Sequence, residues 1–137
     1  MQEPDIRKIL TDYRTIAVVG LSPDPSRPSF EVSHYMQKAG YRIIPVNPAC
    51  DTVLGERCYR SVTDIPDEVE VVQIFRRSES VPPVVDEAIA KGAKVVWMQL
   101  GIKNPEAAAK AEAAGLAVVM DLCMLREHAR LRIPPKE

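Results

Sequence analysis

Histidine and cysteine are scarce in this chain, with 2 and 3 residues among 137, and neither type is spaced to assemble a metal site. No Ser-His-Asp pattern and no carboxylate pair is visible, so a self-contained hydrolase or metalloenzyme finds no apparatus here. Cys50, Cys58 and Cys123 are an odd set with no disulfide framework, and they read as reduced thiols of a cytoplasmic protein. Long apolar runs are also missing. None approaches the roughly 18 residues of a membrane span, and the opening Met-Gln-Glu-Pro-Asp has no basic, apolar leader. The formal net charge of -1 provides no general attraction to nucleic acid or to an anionic membrane. Any polyanion must therefore be met locally, by arginines or by backbone amides.

What is present is an ordinary globular composition, 46% hydrophobic and 27% charged, long enough to bury a core. No repeat, linker or low-complexity stretch divides it, so residues 1–137 are expected to form a single domain, with the tail after Leu131 frayed. Apolar, β-rich runs cover Ile16–Val19, Arg42–Val46, Val69–Phe75, Lys94–Met98 and Leu116–Met120. They are nearly continuous rather than alternating, as in parallel strands covered on both faces. Helical punctuation separates them. A leading helix spans Asp5 to Tyr13. Val32, Tyr35, Met36 and Ala39 form a stripe that begins near Pro28 and stops at Gly40. Val81, Val84, Val85, Ala88 and Ile89 form another, closed by Gly92, and Asn104-Pro105 opens an alanine-rich helix that ends at Gly115. Asp121 is expected to cap a last helix running to about Leu131, which puts Cys123 in its first turn. The stretch from Pro48 to Glu68 is too long for a simple crossover; it should hold a turn at Leu54-Gly55-Glu56 and a helical piece near Val62–Ile65. The fold class is α/β: a Rossmann-like three-layer domain with a five-stranded, parallel, doubly wound sheet, expected in the order 3-2-1-4-5.

Sheets of this kind bind ligands beyond the carboxyl ends of their strands, where the order reverses. After the first strand comes Gly20-Leu21-Ser22-Pro23-Asp24-Pro25-Ser26-Arg27-Pro28-Ser29. A glycine, hydroxyls, an arginine fork and a helix amino terminus are together suited to phosphate. Ordinary helix capping by the serines would use the same residues. No Gly-Lys-Ser/Thr follows the glycine, so this is not a P-loop. Nor does Gly-x-Gly-x-x-Gly occur, and the second strand ends in Asn47-Pro48 where dinucleotide folds carry an acid, which argues against NAD. Arg76 and Arg77 follow the third strand; at most one of them is expected to face the crevice unless the strand has already ended, and the alternative is solvated surface charge or a helix-capping pair. Gln99 and Gly101 follow the fourth. Trp97 reads as core, and Arg42, at the opposite end of the sheet, is set aside. After the fifth strand Cys123 is either a thiol activated by a helix terminus or a buried, inert one.

Taken in order, Val-Val-Gly-Leu-Ser-Pro…Arg-Pro-Ser, Gly-Tyr-x-Ile-x-Pro-Val-Asn-Pro, Phe-Arg-Arg, Trp-x-Gln-Leu-Gly and Asp-x-Cys resemble the small stand-alone CoA-binding proteins. The family's fold is similar to the amino-terminal domain of the succinyl-CoA synthetase α subunit, and the likeness runs from about Ile6 to Arg130. It implies CoA, or an acyl-CoA, held across the carboxyl edge of the sheet. By position, Gly20, Ser22, Arg27 and Ser29 would meet the phosphates, and Asn47 and Pro48 would lie by the adenosine. Phe75, Arg76 and Arg77 would flank the nucleotide, and Gln99 would sit near the pantetheine arm or the phosphates. Cys123 matches the family's cysteine, where a mixed disulfide with CoA becomes feasible. What the synthetase adds is absent: no second domain follows to supply a phosphorylated histidine loop. His34 is expected to be packed or half-exposed in a helix, and His128 to be a surface residue or a partner of the helix dipole. The resemblance thus implies binding without evident catalysis. The alternatives are an NAD(P)-dependent oxidoreductase and a CoA-binding subunit that completes an acyl-CoA ligase in trans.

Overall fold

The structure, a computed structural model, describes residues 4–137. In chain order the elements are α1 (Ile6–Asp12), β1 (Thr15–Val19), α2 (Pro28–Lys38), β2 (Arg42–Val46), β3 (Thr52–Val53) and β4 (Glu56–Arg57). They continue with β5 (Val71–Ile74), α3 (Val81–Lys91), β6 (Val95–Met98), α4 (Pro105–Ala113), β7 (Ala117–Val119) and α5 (Met124–Arg130). Short 3-10 turns occupy Val62–Asp64 and Ser78–Ser80. The punctuation expected at Asn104 and Gly92 is used. Asp5 caps α1 by accepting the Lys8 amide, and Asn104 caps α4 by accepting that of Ala107. Gly92, left-handed at φ 79°, ends α3.

The main sheet has five strands, paired in parallel, in the order β2-β1-β5-β6-β7. Successive residues serve opposite faces. Ile16 and Val18 pack with α1, α2 and α5, whereas Ala17 and Val19 pack with α3 and α4. Trp97 is fully buried in the first of these layers, as expected of core. Each such buried Ile or Val contributes roughly 1.5–3 kcal/mol.

Two expectations need correction. Counting only the main-sheet strands, the order is 2-1-3-4-5, not 3-2-1-4-5, so it reverses between β1 and β5. Pro45 is the reason. Val46 accepts the Gly20 amide on the β1 side, while the Pro45 carbonyl points outward to the Tyr59 amide at 2.9 Å. Pro45 therefore turns its missing N–H to the outer edge of β2, where no full strand can pair. The tail is also not frayed. Ile133 is buried, the Lys136 amide donates to the Ala39 carbonyl at 2.7 Å, and Lys136 Nζ donates to the Thr11 carbonyl.

Candidate functional site

Because the order reverses between β1 and β5, the loops after these two strands are immediate neighbours. Gly20 sits at φ 88°, and a Cβ there would lie 2.5 Å from the Phe75 carbonyl oxygen. The glycine is thus required by backbone packing at the switch point, whatever ligand lies above it. The loop beyond it is tied by its own side chains. The Ser22 amide donates to Ser29 Oγ at 3.0 Å, and the Asp24 amide donates to Ser22 Oγ at 3.1 Å. Asp24 Oδ1 accepts from both the amide and the hydroxyl of Ser26, which holds its carboxyl below the usual range. Arg27 is the residue that precedes α2, and no side chain caps that helix, which leaves its amino terminus open to an anion. The Arg27 guanidinium is exposed and only loosely drawn to Asp24, at 3.9 Å.

Two hollows lie side by side over this region, with Pro28 and Phe75 lining both. A groove of about 290 Å³ is lined by Gly20, Ser22, Arg27, Ser29, Pro28 and Phe75. A cavity of about 490 Å³ continues past Pro28 and Phe75 to Arg76, Gln99 and Cys123, with Leu100, Ile102 and Leu125 as apolar lining. Both hollows mix polar with apolar lining. Arg126 and Glu31 also line the cavity, and neither was singled out in the sequence. Arg126 was legible in principle, since it lies three residues after Cys123 on the start of α5. Leu100, 52% exposed, carried no signal beyond its place after Gln99.

Gln99 is buried, and its role is partly architectural. Its Oε1 accepts the Met124 amide at 3.2 Å and Gln73 Nε2 at 3.1 Å. An amide N–H can be met only by an oxygen, so the Met124 bond fixes which way Gln99 points. Gln73, also fully buried, then keeps an Oε1 with no partner. Asn47 is likewise engaged: its Nδ2 donates to the Leu21 carbonyl and its Oδ1 accepts the Ala49 amide, tying the loop after β2 to the loop after β1. Asn47 and Pro48 line a separate cavity of about 510 Å³ together with Arg57 and Arg60. Arg77 is exposed and borders none of these hollows.

The last helix starts later than expected. Asp121 adopts φ 61° and turns its Oδ1 to the Gly101 amide at 2.7 Å, with Lys103 at 3.4 Å. That amide, together with Lys103, holds the carboxyl low. Cys123 is consequently the cap residue of α5 rather than part of its first turn. It is half-buried and lines the 490 Å³ cavity. His128 is buried at 4% exposure, not at the surface, while His34 is half-buried beside Phe30.

The family profile described as "CoA binding domain" matches residues 14–129. An uncharacterized protein of Bacillus subtilis (strain 168), YneT, is 45% identical over 132 residues, covering 94% of this chain and 98% of the relative. An ADP-forming acetate–CoA ligase of Archaeoglobus fulgidus is 37% identical over 93 residues, or 66% of this chain, and this chain spans only 14% of that enzyme. Among solved structures, a hypothetical protein from Pyrococcus horikoshii OT3 superposes with a TM-score of 0.91 at 48% identity, covering 96% of this chain and 99% of that one. A dinucleotide-forming acetyl-coenzyme A synthetase of Ca. Korarchaeum cryptofilum, in complex with phosphate and ADP, gives a TM-score of 0.69 at 27% identity, covering 82% of this chain and 27% of the enzyme.

Proposed function

The chain belongs to the CoA-binding domain family, and from that premise we propose that it binds CoA or an acyl-CoA along the carboxyl edge of its sheet without catalysis of its own. The observation that carries this reading is a pair of adjacent hollows that share Pro28 and Phe75, one over the start of α2 with Ser22 and Arg27, the other reaching Arg76, Gln99 and Cys123. In this reading the diphosphate lies against Ser22, Arg27 and the first amides of α2. Phe75 and Arg76 stand at the junction of the two hollows. The pantetheine arm runs along Leu100 and Ile102, past Gln99. Asn47 and Pro48 lie on the adenosine side, and Arg77 supplies charge only from the rim. The unpaired thiols fit a cytoplasmic setting. The oxidoreductase alternative has no support among the relatives, and Asn47-Pro48 continues to argue against NAD.

The thiol end of such a ligand would approach Cys123. With CoA disulfide as oxidant, the Cys123 sulfur attacks one ligand sulfur, forms a mixed disulfide and releases one CoA thiol. Intact mass after incubation with CoA disulfide should show one CoA adduct, removed by reductant and absent from Cys123→Ser. An unchanged mass would make Cys123 a packing residue. For binding itself, CoA or acetyl-CoA should raise the melting temperature while NADH does not. No shift with either thioester or thiol at millimolar concentration would overturn the proposal.

A second reading rests on the ligase relatives, one of them a separate α subunit of Pyrococcus furiosus with 36% identity over 84 residues. In it the chain completes an acyl-CoA ligase in trans. Formation of acyl-CoA from acid, CoA and ATP on mixing with an ATP-grasp protein that co-purifies with it would favour this reading over the first.

A further inference from the structure

The segment between β2 and β5 holds a pair of thiols away from the Cys123 cavity. Leu54 and Gly55, both at positive φ, make a two-residue turn that pairs Val53 with Glu56 and Thr52 with Arg57. One step outward the Cys58 amide donates to the Asp51 carbonyl at 2.8 Å. The hairpin register therefore brings its two flanks together, and Cys50 Sγ lies 3.2 Å from Cys58 Sγ. Both residues are half-buried, and both border the 510 Å³ cavity, so a small molecule can reach them. A covalent S–S bond needs a separation of roughly 2.0 Å, which asks for a shift of only about one ångström at the base of the hairpin.

We propose that Cys50 and Cys58 form a dithiol modification site that takes low-molecular-weight disulfides and closes an intramolecular disulfide across the base of the hairpin. Burial and the adjoining Cys50 sulfur push the Cys58 thiol up to about 12, so it keeps its proton at neutral pH; the first attack is assigned to Cys50, which borders the same cavity. In the first step Cys50 gives up its thiol proton and attacks one sulfur of the incoming disulfide, and the other leaves with a proton as a small thiol. In the second step Cys58 attacks Cys50 Sγ, its proton passes to the departing small thiol, and the protein bond closes. In total two protein thiols lose two electrons and two protons, and one small disulfide becomes two thiols. Cys50 lies three residues after Asn47, whose Nδ2 holds the Leu21 carbonyl. The new bond therefore staples the hairpin to the turn that links the β1 and β2 loops. The proposal does not depend on which nucleotide the main crevice accepts.

The test uses the full chain in a Cys123→Ser background, so that only this pair is read. The reduced protein is incubated with oxidised glutathione, quenched, alkylated and mapped by mass spectrometry. The expected product is lighter by two hydrogens, resists alkylation at both positions and yields one peptide pair linked through Cys50 and Cys58, with reductant restoring both thiols. A further Cys58→Ser change should trap a glutathione adduct on Cys50. Two alkylatable thiols after treatment would overturn the proposal, as would a stable adduct on either cysteine without ring closure while Cys58 is present. Because Cys123 is absent throughout, failure here leaves the CoA reading untouched.

Discussion

His128 is a titratable residue whose surroundings disfavour charge. It is buried on α5, its Nδ1 lies 2.9 Å from the Tyr35 hydroxyl, and its Nε2 is buried with no partner. Burial, and secondarily the Lys136 ammonium, lower its pKa, so the native state holds the neutral imidazole. The unfolded chain binds that proton near the ordinary histidine value of about 6.5. Below that pH, and until the depressed native value is reached, the unfolded state carries more protons, so stability falls on acidification by up to about 1.4 kcal/mol per pH unit. Stability from this residue is thus complete above about 6.5 and is lost as pH falls through the window beneath it. Melting temperatures measured between about pH 7.5 and 5 should decline in the native chain and decline much less in His128→Gln. An equal decline in the variant would assign the acid sensitivity to other groups. From sequence alone His128 read as a surface residue or a partner of the helix dipole, because nothing local shows that Tyr35 and Tyr41, both distant in the chain, close over it at 5.4 and 5.7 Å.

At the scale of elements, the junction of β1 and β5 is a tightly constrained point of the fold. Replacing Gly20 with alanine combines a left-handed backbone with a Cβ at 2.5 Å from the Phe75 carbonyl oxygen. The expected loss is roughly 2–4 kcal/mol, from backbone strain and overpacking together. Gly92→Ala, at φ 79° with nothing near its Cβ, carries the strain alone and should cost about 1–2 kcal/mol. Urea titrations of the two variants check the difference; equal losses would mean that the Phe75 contact relaxes freely. The same region shows which signals the sequence carried. The main-sheet strands and the five helices were legible because apolar runs and caps are local patterns. Strand order is a long-range property, yet Pro45 already marked β2 as an edge. The start of α5 was misread because Asp121, a strong capping type, spends its carboxylate on Gly101, twenty residues away in the chain. Cys123 therefore takes the cap position with no change in the cavity that it borders.

For the molecule as a whole, ligand binding and stability are the same measurement. A ligand at a hundredfold excess over its Kd, bound only by the folded chain, adds about 2.7 kcal/mol to stability. The proposed site divides into residues that are free for a ligand and residues already committed to the fold, and this division makes a quantitative contrast. Arg27 is exposed, holds Asp24 only at 3.9 Å and stands before the uncapped start of α2. Removing it should leave the unliganded protein nearly unchanged and weaken CoA by roughly tenfold, the lower end of what one charge-assisted hydrogen bond contributes. Asn47 is different, since its amide joins the Leu21 carbonyl to the Ala49 amide. Asn47→Ala should lower the melting temperature before any CoA is added, and whatever affinity it loses comes largely through displaced loops. Calorimetric titration of CoA beside unliganded melting curves separates the two cases. If Arg27→Ala destabilises the free protein while CoA affinity is unchanged, the phosphates do not sit over α2, and the hollow there serves the fold alone.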